Sequence, residues 1–170
     1  MKVQVMFFIC LFLLTIVSLP VLAEDKMTAL ERLQFLVDNP SKAKELRKKI
    51  LNASAKERSQ YEDLRKILEN EINTMSSSLP RRLDKYTTMD SATVSGYNIG
   101  MKYTLSDDLT KIGSSKEILS EIDRVGMQNF CSSPSAAWLI LGYTWTYYYY
   151  RENGNYYGGI IIDAKRCGFE

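Results

Sequence analysis

The sequence contains no histidine, and this removes the commonest general base and metal ligand before any motif is sought. A serine nucleophile would have to borrow a lysine or a terminal amine. The SxxK spacing Ser41 to Lys44 stands alone, without the SDN and KTG elements that accompany it in serine acylases. Cysteine is scarce, three residues in all. No CxxC occurs, so the closely spaced thiolate pair of an oxidoreductase is excluded, and two thiols without histidine do not make a zinc site. There is no glycine-rich phosphate loop. An excess of one charge is lacking too: the formal net charge is +2, or +1 without Lys2, which exerts no long-range pull on nucleic acid or an anionic membrane.

What is present begins with an export signal. Lys2 precedes the apolar run Val5 to Val17, and Ser18-Leu19-Pro20 leads to Val21-Leu22-Ala23. That order of charge, apolar core and small-residue exit predicts cleavage after Ala23. The core is short for a spanning helix, which needs about 20 residues, so residues 24–170 are expected to be soluble, with no integral membrane segment. Cys10 leaves with the signal, and the remaining Cys131 and Cys167 are an even pair in an oxidising compartment. Their disulfide would contribute about 3–4 kcal/mol by restricting the unfolded chain. Asn52-Ala53-Ser54 is a formal glycosylation acceptor, relevant only in a eukaryotic secretory pathway.

The first part of the exported chain reads as helix. Met27, Leu30, Leu33 and Val37 recur every three or four residues up to Asn39-Pro40, where Asn39 can cap and Pro40 can open a second helix with Ala43, Leu46 and Ile50 on its seam. Ser54 and Glu57 form a capping box ahead of the stripe Tyr61, Leu64, Leu68, Ile72 and Met75. The dense charge at Lys42, Lys44, Arg47, Lys48 and Lys49 reads as a solvated helix surface, and the long stripe suits the chain's own core, a partner or a homodimer equally well.

After Pro80 the period changes to two. Tyr97, Ile99, Met101, Tyr103 and Leu105 alternate with polar and small residues, and Thr87 to Val94 is a plausible antiparallel neighbour across Ser95-Gly96. Ser114 and Glu117 repeat the capping box before a helix carrying Ile118, Ile122 and Val125, and Ser133-Pro134 opens a short helix that Gly142 can end. Asn153-Gly154 predicts a type I′ hairpin between Tyr143–Arg151 and Tyr156–Asp163. Its register pairs Trp145 with Ile162 and Tyr147 with Ile160, and sends Tyr148, Tyr150, Tyr157 and Ile161 to the opposite face. The whole reads as an α+β fold: an antiparallel sheet of three or four strands packed with helices, preceded by a helical N-terminal region. Residues 24–80 form that region, and 81–170 form a disulfide-clamped part of the same domain.

Leu79-Pro80, Asp84, Thr87, Tyr103-Thr104-Leu105, Cys131, Gly142, Tyr147 to Tyr150, Gly154 and Cys167 together resemble small exported bacterial proteins of an uncharacterised family. The likeness covers about residues 72 to 167. It implies a bacterial, disulfide-bearing α+β domain, periplasmic or secreted, and brings no catalytic residue with it.

Carboxylates cluster at Asp107-Asp108 and at Glu117, Glu121 and Asp123, where a helix approach and a charged outer face explain them better than glycosidase chemistry. Asp107-Asp108 also lacks the alternating oxygen ligands of a calcium loop. No catalytic, metal or cofactor residue is therefore assigned. The tyrosine-rich hairpin is the one candidate binding surface, with Tyr148, Tyr150 and Tyr157 on its outer side. Near-neutral charge disfavours nucleic acid. The expected function is an exported noncatalytic interaction or adaptor module serving another exported or envelope protein. The alternatives are a small secreted enzyme, an enzyme inhibitor or a carbohydrate-binding module using the same tyrosines.

Overall fold

The computed structural model describes residues 29–170. The expected signal, Met27 and the side chains of Leu30, Leu33, Tyr61, Leu64 and Leu68 lie outside the described part. Helices α1 (Ala29–Asp38), α2 (Pro40–Asn52) and α3 (Ala55–Ser77) come first. Pro40 occupies the first turn of α2, where its missing N–H costs nothing. Asn39 does not cap α2 with its side chain: its Nδ2 donates to the Phe35 carbonyl at 2.7 Å and closes α1 instead. The Ser54–Glu57 box forms as expected, with Glu57 Oε2 accepting from the Ser54 N–H at 2.7 Å. Ala43, Ile50 and Ile72 bury the helical seams, and α3 packs on the sheet through its C-terminal half.

Five strands form one sheet in the order β1 (Arg81–Arg82), β2 (Thr87–Ser95), β3 (Asn98–Leu105), β4 (Thr144–Arg151), β5 (Tyr156–Ile162). The expectation of three or four antiparallel strands needs two corrections. β1 adds a strand that its two exposed arginines could not announce by any period. The β3–β4 pair is parallel, running from Asn98↔Thr144 to Leu105↔Arg151. A parallel join requires a long crossover. Here α4 (Asp107–Thr110), α5 (Ser115–Cys131), a 3₁₀ turn at Pro134–Ala136 and α6 (Ala137–Ile140) supply it.

The hairpin register is the expected one at Trp145↔Ile162 and Tyr147↔Ile160, but its turn is different. Gly154 N–H donates to the Arg151 carbonyl and Arg151 N–H to the Asn155 carbonyl, both at 2.9 Å, with Gly154 at φ 81°. This is a three-residue loop with glycine in the left-handed position, the next commonest solution after the two-residue turn. Asn153 Oδ1 supports it by accepting from the Asn155 N–H at 3.0 Å. The shift is absorbed between Tyr149↔Gly158 and Tyr150↔Tyr156, leaving Tyr157 without a partner residue in the ladder. A bulged residue no longer obeys the alternation, and Tyr157 is drawn into the core.

The helices share one face of the sheet, α3 against β2 and α5 against β5. Ile99, Leu105, Leu139, Ile140 and Phe169 are the largest fully buried side chains there. Ile160 and Ile162 are buried, and Tyr147 leaves part of its side chain exposed while its phenol end is enclosed. Cys131, ending α5, is joined to Cys167 with their Cα atoms 5.3 Å apart. The tail is held by more than this bond. Arg166 donates to both oxygens of Asp123, at 2.8 and 2.7 Å, and to the Ile161 carbonyl of β5. Arg47 on α2 reaches the Leu139 carbonyl and Glu170, each at 2.6 Å.

Candidate binding surface

Strand alternation sends Gly100, Lys102, Thr104, Thr146, Tyr148, Tyr150, Gly159 and Ile161 to the sheet face opposite the helices. Across neighbouring strands these residues form rows: Gly100, Thr146 and Ile161; Lys102, Tyr148 and Gly159; Thr104, Tyr150 and Tyr156. Tyr148, Tyr156 and Ile161 are exposed, and Tyr150 is half-buried. Tyr157, expected here, is inside, and the bulge brings Tyr156 to the face in its place. The preceding Asn153-Gly154 loop was the only sequence signal that could have pointed to this exchange.

Two glycines shape the surface. A Cβ on Gly100 would stand 3.6 Å from Tyr148 Cε2, and one on Gly159 would stand 2.8 Å from the Tyr156 hydroxyl. The two tyrosines therefore lie across bare backbone. Tyr150 meets Tyr156 edge to face at 5.6 Å, and Lys102 Nζ sits 4.7 Å from the Tyr150 ring centre. A backbone irregularity between Met89 and Ser91 accompanies a hydrogen bond from the Thr104 hydroxyl to Asp90 Oδ2 at 2.8 Å. Thr146 donates likewise to Asn98 Oδ1 at 2.8 Å. The result is a broad aromatic and hydroxyl-bearing face on rigid strands. A small polar cleft lies near Arg82, Tyr86, Thr104 and Glu152.

Several of the candidate catalytic residues hold local structure together. Asp107 pairs with Lys111 at 3.2 Å at the start of α4, where Ser106 caps. Glu117 closes the Ser114 capping box, Glu121 binds Arg124, and Asp123 binds Arg166. Hydrogen bonds from Ser114 hold the Glu117 carboxyl below its ordinary range, and Arg124 does the same for Glu121. The Ser132 and Ser133 hydroxyls donate back to carbonyls at the end of α5. Ser41 and Lys44 are both exposed on α2. Among the described residues no group of three or more cysteines and carboxylates could hold a metal ion.

On the helix side, Tyr103 stacks with Tyr149 at 5.5 Å and with Tyr147 at 6.1 Å. Burial, then the neighbouring tyrosines, pushes the Tyr147 phenol well up; burial, then Tyr103 and Asp123, does so for Tyr149. Both phenols are neutral at physiological pH and serve as core, not as bases. An acid raised on folding binds its proton more tightly in the native state. Its stability contribution is therefore intact below the unfolded tyrosine value of about 10 and is lost as pH rises beyond it. In an alkaline titration followed by tyrosinate absorbance, Tyr147 and Tyr149 are expected to ionise only together with loss of near-ultraviolet circular dichroism. Ionisation of all the tyrosines with that signal intact would contradict their enclosure.

No protein-family model matches the chain, and no curated protein matches it. Solved structures do share its fold. A Pseudomonas aeruginosa protein assigned as secreted superposes with a TM-score of 0.53 at 18% identity, over 68% of this chain and 99% of that one. The pilotin EpsS of the Vibrio vulnificus type 2 secretion system superposes with a TM-score of 0.51 at 16% identity, over 62% of this chain and 93% of that one. At these identities the likeness is one of fold.

Proposed function

We propose that this chain is an exported, noncatalytic interaction module that docks on another protein of the cell envelope through the outer face of its sheet. The observation that supports this reading is the exposure of Tyr148, Tyr156 and Ile161 together on a face that also carries the polar Lys102, Thr93 and Thr104. Rigid tyrosines on strands make good anchors, because little side-chain entropy is lost when they are covered. The pilotin of a secretion system on the same fold supports an envelope setting. Signal removal after Ala23 and a periplasmic or secreted location belong to the same proposal.

A photo-crosslinking amino acid in place of Tyr148, introduced in the producing cell, is expected to yield one discrete adduct with an envelope protein. Tyr156→Ala should weaken that association about tenfold or more, the range of a central aromatic anchor. Failure of any adduct from Tyr148, with the chain recovered as an unbound monomer, would remove the reading. The rings lying over Gly100 and Gly159 favour one second reading, a glycan stacked on Tyr148 and Tyr156. Saturable binding of an envelope polysaccharide, lost in Tyr148→Ala, would select it over a protein partner.

A further inference from the structure

A second surface lies at the end of the sheet where β3 begins and α2 ends. Leu51 is 55% exposed and Tyr97 57% exposed, both large for surface apolar side chains. They converge on one point: a Cβ on Gly142, which has φ +100°, would lie 3.8 Å from Tyr97 Cδ1 and 3.9 Å from Leu51 Cδ2. Gly142 thus leaves bare backbone between two apolar walls. Tyr143 supports the Tyr97 wall from behind, its ring centre 5.3 Å away. A methyl-sized group placed at Gly142 would touch Tyr97 and Leu51 at ordinary van der Waals distance.

The helix beside this point is strongly basic. Its one acidic residue, Glu45, is taken by Lys49 at 2.7 Å, and Arg47 is engaged with Glu170. Lys44 and Lys48 remain exposed, with no carboxylate partner among the described residues. Spaced at i, i+4 and i+7, Lys44, Lys48 and Leu51 share one stripe of α2. Two uncompensated cations therefore lead along α2 to an apolar pair, and this calls for a partner carrying the complementary set.

We infer that this ledge docks an acidic protein segment, with carboxylates set against Lys44 and Lys48 and an apolar side chain seated at Gly142 between Leu51 and Tyr97. The ledge is separate from the outer sheet face and does not depend on it. Combined with that face, it would let the module hold two partners at once.

Short amphipathic peptides with one common leucine stripe and the remaining positions glutamate, glutamine or lysine test the inference by fluorescence anisotropy. The glutamate peptide is expected to bind about tenfold or more tightly than the glutamine peptide, with the lysine peptide weakest. Lys44→Glu with Lys48→Glu should reverse that order, and Leu51→Ser or Tyr97→Ser should weaken the glutamate peptide about tenfold. Tyr148→Ala should change nothing here, which separates this result from the outer-face reading. An order unaffected by the double charge reversal would overturn the inference. So would phosphatidylglycerol vesicles binding through Leu51 and Tyr97 while the glutamate peptide does not bind.

Discussion

Phe169→Ala is expected to lower stability by about 3–5 kcal/mol, the cost of deleting a fully buried phenylalanine and leaving its space behind. The side chain is 1% exposed although it is the penultimate residue, and its N–H donates to the Ala164 carbonyl at 2.7 Å, turning the tail back under the sheet. Gly168 makes the turn possible with φ 76°. Urea melts should show the fall as a lower midpoint at unchanged slope. A loss under about 1 kcal/mol would mean that the tail is not part of the cooperative core.

Cys131→Ser ranks next, at about 3–4 kcal/mol by the chain-entropy account for cysteines separated by 36 residues. The bond ties the end of α5 to the tail beyond β5, so its removal frees both in the unfolded chain. Native Arg166–Asp123 and Phe169 contacts would still guide the tail home. Denaturant melts of the oxidised protein and the variant measure the effect, and non-reducing peptide mapping checks the bond. An unchanged midpoint would leave the pairing in place and remove the entropic explanation. Because Phe169 and Cys167 hold the same segment, the double variant should deviate from the sum of the two single effects.

What could be read in the sequence was whatever local periodicity and capping chemistry determine. Ile99, Met101 and Leu105 fell on one face because strand side chains alternate whatever lies beside them. Ser54–Glu57 and Ser114–Glu117 marked helix starts because their bonds span only three residues. The direction of the β3–β4 pair was not legible for the same reason, since alternation is identical beside a parallel or an antiparallel neighbour. Nor was β1, whose two arginines have too little length to show a period. At the candidate surface, Tyr148 and Tyr150 came out on the expected side, but Tyr157 did not, because loop length and not strand pattern set the bulge. Phe169 went unread as a single apolar residue in a polar tail. The ledge at Leu51 and Tyr97 joins positions far apart in the chain, which only the packed structure brings to Gly142.

The bond between Cys131 and Cys167 also alters what a protease could do to this molecule. The tip Glu152–Asn155 is the exposed, side-chain-accessible end of the hairpin, the kind of place where nicking starts. A cut there falls inside the ring closed by the two sulfurs, so the severed ends remain one covalent body, with β4 and β5 still paired and the outer tyrosines still mounted. A cut at the equally exposed Ser95–Tyr97 turn lies outside the ring and has no such safeguard. The crosslink therefore divides the surface into a stretch that tolerates scission and a stretch that does not, and the tyrosine hairpin lies wholly within the first.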